Sequence, residues 1–101
     1  MYLSYMDFKD AIIEVLVKDA KFAEDFANYL ANKIMEDAQR LGLEEPTYNL
    51  IWSIISRETS ARRDYAKDLA EYILELYHRG GYINKTEQEI ERILQVLKPK
   101  G

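Results

Sequence analysis

The apolar residues of this chain recur every three or four positions, and no segment alternates between apolar and polar residues as a half-buried strand would. Side chains spaced by three and four residues share one face of an α-helix, whereas those on one face of a strand are spaced by two. This period constrains the fold more than any other feature of the sequence. It predicts an all-α protein, a small bundle of four to five helices.

Length and composition predict a single helical domain over residues 1–101. The 48% hydrophobic and 32% charged residues are typical of globular proteins. The absence of cysteine excludes disulfide frameworks, zinc knuckles and thiol catalysis. No apolar run approaches the ~18 residues of a membrane span, and the start lacks the basic residues of a signal peptide, so we expect a cytoplasmic protein with no membrane contact. Abundant Glu, Lys, Ile and Tyr with few Gln is typical of thermophile proteins.

Apolar stripes and residues that favour helix ends divide the chain into helices. The predicted helices span about residues 5–17, 20–41, 47–57, 61–79 and 87–98. Gly42 is of the type favoured just after a helix end, and Pro46 suits the first turn of the third helix. The predicted N-cap residues of the first, second and fourth helices are Ser4, Asp19 and Ser60.

The pattern leaves open whether the first two helices are continuous. No Gly or Pro interrupts residues 5–41, and the polar edge keeps its phase across Lys18. One helix over this range would be about 55 Å long. That is too long for a compact monomer of this size, so a continuous helix would require an oligomer. Asp19 falls on the apolar stripe, which favours an N-cap after a break near Lys18, and we therefore expect two helices.

Apolar residues cover an unusually wide arc of the first two helices. In the first, only Asp7, Asp10, Glu14 and Lys18 mark a narrow polar edge. A helix in a small bundle usually needs one apolar stripe, and surplus apolar surface marks an interface. The leading hypothesis is a non-catalytic protein–protein interaction or assembly module that self-associates, as a homodimer or larger homo-oligomer, or docks on a partner protein. The residues expected in the interface are Tyr5, Phe8, Ile12, Phe22, Phe26 and Leu30.

A second hypothesis starts from cations in an unfavourable position. Arg62 and Arg63 lie in the first turn of the fourth predicted helix, where the helix dipole disfavours positive charge. The third helix, the following turn and the fourth helix can be drawn as a helix-turn-helix whose basic start contacts DNA, as in a small transcriptional regulator. The candidate nucleic-acid contacts are Arg57, Arg62, Arg63 and Lys67. The nearby Glu58, Asp64 and Asp68, with a net charge of −4, favour a solvated surface over DNA contact.

The residues that carry catalysis and metal binding do not form a recognisable site. His78 is the only histidine, and no serine or acid accompanies it in a catalytic spacing. Glu75 and His78 have the Glu-x-x-His spacing of di-iron bundles, and Glu36 is a candidate further ligand. However, Glu75 and His78 lie opposite the apolar stripe of their helix, whereas the ligands of di-iron bundles point inward. The glycines lie at predicted helix ends or the terminus, not in a phosphate-binding series. We therefore expect no enzyme activity, no cofactor and no metal.

Overall fold

The computed structural model describes residues 6–78, and this range is all-helical. The helices within it are α1 Phe8–Lys18, α2 Glu24–Arg40, α3 Tyr48–Glu58 and α4 Arg63–His78. The prediction of a small all-α bundle is confirmed. The predicted helix at 87–98, the predicted N-cap Ser4 and the predicted interface residue Tyr5 lie outside the described residues.

The four helices form an antiparallel ring. Each helix packs on its neighbours in sequence, and α4 returns to pack on α1. At one end of the ring, the rings of Phe8 and Tyr77 have centroids 4.6 Å apart. At the other end, the Tyr65 hydroxyl donates to the Asp19 carbonyl oxygen at 3.4 Å. Because the start of each of these two helices meets the end of the other, α1 and α4 are antiparallel, and short connections make the remaining pairs antiparallel as well.

The core lies inside this ring and is built from aliphatic side chains of all four helices. The largest fully buried aliphatic side chains are Ile12, Leu16, Leu30, Ile34, Ile51, Ile54, Ile55, Leu69 and Ile73. Each contributes about 1.5–3 kcal/mol through removal from water. Fully buried alanines, such as Ala31 and Ala70, lie among them and allow helix backbones to approach closely. No buried side-chain polar atom within residues 6–78 lacks a hydrogen-bond partner, so the core carries no uncompensated polar group.

The predicted break between the first two helices is confirmed, but its position and chemistry differ from the prediction. Asp19, the predicted N-cap of the second helix, is instead the C-cap of α1. Lys21 then adopts the left-handed conformation, with φ 62°, and turns the chain. α2 begins only at Glu24, after an N-cap, Ala23, that has no side-chain cap hydrogen bond. Residues 20–23 continue the apolar pattern and contain no glycine, which is why the pattern placed the helix start too early.

The end of α2 follows its sequence signal closely. Gly42 has φ 76°, in the left-handed region that glycine adopts without steric cost. Its N–H donates to the Gln39 carbonyl at 3.0 Å, and the N–H of Leu43 donates to the Ala38 carbonyl at 2.9 Å. These two hydrogen bonds define a Schellman motif, which satisfies carbonyl groups that the helix itself leaves unpaired.

The start of α3 also follows its local sequence. The Thr47 hydroxyl accepts the N–H of Leu50 at 3.2 Å, an N-cap hydrogen bond typically worth ~1 kcal/mol. Pro46, expected in the first turn, lies just before this N-cap and is buried. A proline at this position removes no intrahelical hydrogen bond, because its nitrogen precedes the helix.

The start of α4 lies slightly later than predicted. The helix begins at Arg63, and the Arg62 carbonyl accepts the first helical N–H at 2.9 Å. Ser60, the predicted N-cap, therefore lies in the turn before the helix. Thr59 orders this turn instead: its hydroxyl donates to a carbonyl of α3 at 2.7 Å and accepts the N–H of Ala61 at 2.9 Å. This turn places Arg62 just before α4 and Arg63 at its first position.

Candidate functional site

The predicted interface residues separate into a core group and a surface group. Phe8, Ile12 and Leu30 are buried in the core of the single chain, so they stabilise the bundle and are not offered to a partner. Phe22 and Phe26 are only partly buried. The wide apolar arc of α1 and α2 is largely covered because each helix of the ring packs on two neighbours. The apolar surface left for a partner is narrower than the sequence pattern predicts.

Three aromatic side chains, one just before α2 and two in its first turns, contact one another in series, and we call Phe22, Phe26 and Tyr29 the aromatic ladder. The centroids of Phe22 and Phe26 are 5.4 Å apart in an edge-on arrangement, and those of Phe26 and Tyr29 are 6.0 Å apart and stacked. The Tyr29 hydroxyl donates to Glu58 Oε1 of α3 at 3.1 Å. The ladder therefore joins α2 to the end of α3, and the exposed Tyr29 forms its outer end.

Two of the predicted nucleic-acid contacts meet at Trp52, on the flank of α3 that faces α4. Lys67 Nζ lies 4.8 Å from the indole centroid, and Arg63 Cζ lies 5.8 Å from it. The indole Nε1 donates to Asn49 Oδ1 at 3.0 Å, which holds the ring in place. Each cation–π contact at such an exposed position is worth ~0.5–1 kcal/mol. Trp52, Arg63 and Lys67, which we call the Trp52 cluster, therefore connect α3 to α4 on the outside of the bundle.

The other two predicted nucleic-acid contacts lie on either side of the turn before α4. Both Arg57 and Arg62 are exposed. Arg57 Nε lies 3.6 Å from Glu58 Oε2, and Glu58 also accepts the hydroxyl of Tyr29. The carboxylate of Glu58 therefore offsets part of the positive charge at this end of the bundle.

The solvent-facing side of α4 is acidic along most of its length. Asp64, Asp68, Glu71 and Glu75 are all exposed, and their spacing of four, three and four residues places them on one face. In the part of the chain that the structure describes, none of these carboxylates takes part in an ion pair. A carboxylate face of this kind repels the phosphates of nucleic acid.

His78 and Glu45 pair at the opposite end of the bundle from the α3–α4 turn. His78 Nε2 lies 3.0 Å from Glu45 Oε1, and both side chains are exposed. Glu75, which shares the Glu-x-x-His spacing with His78, is also exposed, as is Glu36. Within residues 6–78 no group of three or more histidine or acidic side chains is placed to hold a metal ion. The His78–Glu45 contact ties the end of α4 to the connection between α2 and α3.

The Trp52 cluster is not predictable from the sequence pattern, although both of its cations are among the predicted nucleic-acid contacts. The hydrophobic pattern alone predicts that Trp52, with Tyr48, lies on the buried side of the third helix. In the structure the ring is partly buried and covered by Arg63 and Lys67. No local spacing connects residues on two different helices. The relevant signal was the short turn, which brings the start of α4 back alongside α3, within reach of the long Arg63 and Lys67 side chains.

Comparison of the chain with protein-family models, with curated proteins and with solved structures found no match. Among the described helices, none combines the length and the apolar character needed to cross a membrane. The surface of the bundle is therefore what indicates function, through the aromatic side chains and charges that it exposes.

Proposed function

We propose that this protein is a non-catalytic helical interaction module that associates with a second copy of itself. The observation that carries the proposal is the kind of large apolar side chain left on the surface. In the described part of the chain, the exposed large hydrophobic residues are Leu41 and four tyrosines. These tyrosines, between 38% and 48% exposed, are Tyr29, Tyr48, Tyr65 and Tyr72.

Tyrosine suits a binding surface that is exposed to water when the protein is unbound. The ring supplies a large contact area with few rotatable bonds, and the hydroxyl keeps one end compatible with water. Tyrosine, tryptophan and arginine are accordingly enriched among residues that dominate binding energy. Tyr29 and Tyr65 each have a hydroxyl hydrogen-bonded within the chain. Because these bonds restrict the rings before association, less side-chain entropy is lost on binding.

Two of these tyrosines lie on one side of α4, and Trp52 lies on the other. Tyr65 reaches the end of α1 through its hydroxyl, and Tyr72, two helical turns later, lies on the same side by its spacing. Trp52 lies on the other side, beneath Arg63 and Lys67. A partner that covered α4 would therefore contact aromatic rings on both flanks. These positions make α4 the centre of the proposed interaction surface.

The helix-turn-helix alternative is favoured by one observation and opposed by two. Arg62 and Arg63 are exposed at the start of α4, as that hypothesis requires. The acidic face of α4 opposes insertion into a DNA groove. The contact between α3 and α4 is also the most extensive of the helix contacts, as in a helical hairpin, whereas the helices of a helix-turn-helix cross at about 90–120°. We therefore rank DNA contact below self-association.

The proposed function is tested by the mass of the protein in solution. Size-exclusion chromatography with light scattering, run over a wide concentration range, should give a mass near twice that of the 11.9 kDa chain, falling towards one chain on dilution. A mass of one chain at every concentration refutes self-association. Titration of mixed-sequence duplex DNA at low salt serves as the second arm. Salt-sensitive binding that Arg62→Ala and Arg63→Ala reduce would favour the helix-turn-helix alternative.

A further inference from the structure

The charges along one row of α4 are complementary to themselves. Arg63, Lys67, Glu71 and Glu75 recur every four residues, so they form one inclined row on the helix surface, which we call the charge row. Its order is two positive side chains followed by two negative ones. When the row is followed in the opposite direction, each position has the opposite sign. Two copies of α4 in antiparallel orientation therefore present matching charges to each other.

This order is unfavourable for α4 alone. Positive charge at the start of a helix and negative charge at its end both oppose the helix dipole. Arg63 with Lys67, and Glu71 with Glu75, are also like-charge pairs at a spacing of four, which destabilise a helix. The opposite-charge neighbours Lys67 and Glu71 form no ion pair within the described residues, and Lys67 lies over Trp52 instead. An isolated helix would be more stable with the reverse order of charges.

We propose that α4 pairs with α4 of a second copy in antiparallel orientation, about a two-fold axis at the level of Leu69. In this arrangement Arg63 faces Glu75 of the other copy, and Lys67 faces Glu71. The symmetry of a two-fold interface makes each of these contacts occur twice. The inference rests on the proposed self-association and adds the surface and the orientation of the partner.

Charge complementarity selects both the partner and its direction. A parallel alignment of the two helices would place Arg63 against Arg63 and Glu75 against Glu75, so it is disfavoured by like-charge repulsion. Charged pairs at the rim of an interface typically determine orientation and exclude wrong partners more than they supply affinity. Trp52 lies beneath Arg63 and Lys67 and holds both cations in place before association, so less side-chain entropy is lost when they pair.

The acidic residues outside the charge row are compatible with this pairing. Asp64 and Asp68 lie to one side of the row, each about 90° around the helix from the row at its own level, because the row advances by only about 10° per residue while successive residues are about 100° apart. They therefore lie beside a contact that follows the row, not in it. Their exposure also provides a matched control surface on the same helix.

A charge-swap experiment tests the pairing in the full-length chain. The double variant Arg63→Glu/Lys67→Glu has an all-negative row, and Glu71→Lys/Glu75→Lys has an all-positive row. Each variant alone should raise the dimer dissociation constant about tenfold or more, because like charges then face each other. An equimolar mixture of the two should restore association as a heterodimer. The quadruple variant, whose order of charges is reversed, should again form a homodimer.

Two controls keep the outcomes distinct. Asp64→Lys/Asp68→Lys makes the same change in net charge as Glu71→Lys/Glu75→Lys but lies off the row, so it should leave the dissociation constant within about twofold of the wild type. Far-ultraviolet circular dichroism verifies that each variant is folded, and the all-positive variant leaves the Trp52 cluster untouched. A wild-type chain that stays monomeric overturns the proposed function. A wild-type dimer that neither double variant weakens, or a mixture that fails to restore association, overturns the α4 pairing alone.

Discussion

Replacing Lys21 by glycine should stabilise the protein. Lys21 has φ 62°, the only positive φ of a non-glycine residue within residues 6–78. The left-handed conformation costs a residue with a Cβ atom about 1–2 kcal/mol, and glycine does not bear that cost. Glycine in turn adds about 0.5–1 kcal/mol of conformational entropy to the unfolded chain. The side chain of Lys21 is exposed, so its removal sacrifices little packing.

The balance predicts that Lys21→Gly raises the free energy of unfolding by about 0.5–1 kcal/mol. For a domain of this size the corresponding rise in Tm is about 2–8 °C. Urea denaturation followed by circular dichroism measures the first quantity, and thermal denaturation measures the second. Both should be recorded at one fixed protein concentration, because self-association would make them concentration-dependent.

Two matched variants separate the backbone effect from the loss of the side chain. Lys21→Ala removes the side chain but retains Cβ, so it should change stability by less than about 0.5 kcal/mol. Lys33→Gly introduces the same residue within α2 and should destabilise by about 0.5–1 kcal/mol, because glycine is a poor helix former. If Lys21→Gly destabilised as much as Lys33→Gly, the explanation of the α1–α2 break through a strained Lys21 would be refuted.

Three further substitutions test the local interactions that hold the helices. Gly42→Ala should lower the free energy of unfolding by about 1 kcal/mol. The loss comes from the backbone φ of 76° alone, because a Cβ atom at this position meets no atom within 4 Å. An unchanged free energy of unfolding in urea denaturation would contradict this. Thr47→Ala should lower the free energy of unfolding by ~1 kcal/mol while Thr47→Ser retains it, and equal losses on thermal denaturation would exclude the N-cap as the cause. Trp52→Ala should lower the free energy of unfolding by about 1–3 kcal/mol, because it removes two cation–π contacts and partly buried ring area. Tyr48→Ala should lower it by less than about 1 kcal/mol. Similar urea midpoints for these two variants would count against a stabilising role of the Trp52 cluster.

Helix ends were predictable from the sequence wherever the responsible chemistry is local. Gly42 predicts the end of α2, because few other residues tolerate a left-handed backbone conformation and the helical apolar pattern stops at this position. The break at Lys21 carries no such signal. Lysine has no preference for the left-handed conformation, and the turn is closed by backbone hydrogen bonds, in which the Phe22 N–H donates to the Leu16 carbonyl at 3.0 Å and the Ala20 N–H to the Val15 carbonyl at 3.2 Å. Apolar spacing alone cannot reveal this turn, because Ala20, Phe22 and Ala23 around Lys21 continue the apolar pattern.

The sequence predicts which side chains are buried, but not whether the same chain or a partner covers them. The periodicity correctly marked Phe8, Ile12 and Leu30 as apolar faces that must be covered. It assigned them to a partner because a helix with one neighbour needs only a narrow stripe. In the antiparallel ring each helix has two neighbours and uses a wider arc. Similarly, the meeting of Arg63 and Lys67 over Trp52 depends on how α3 and α4 align, which no spacing within either helix reveals.

The closure of the ring has a consequence for the order in which the chain folds. Among the helix contacts of residues 6–78, only the seam between α1 and α4 joins segments that are distant in sequence. Bringing distant segments together loses chain entropy before any contact compensates for it, whereas helical hairpins close over short loops. The contact between α1 and α4, which includes Phe8 and Tyr77, is therefore expected to form last during folding and to break first under denaturing conditions. Its loss would expose the buried side of α1 to solvent.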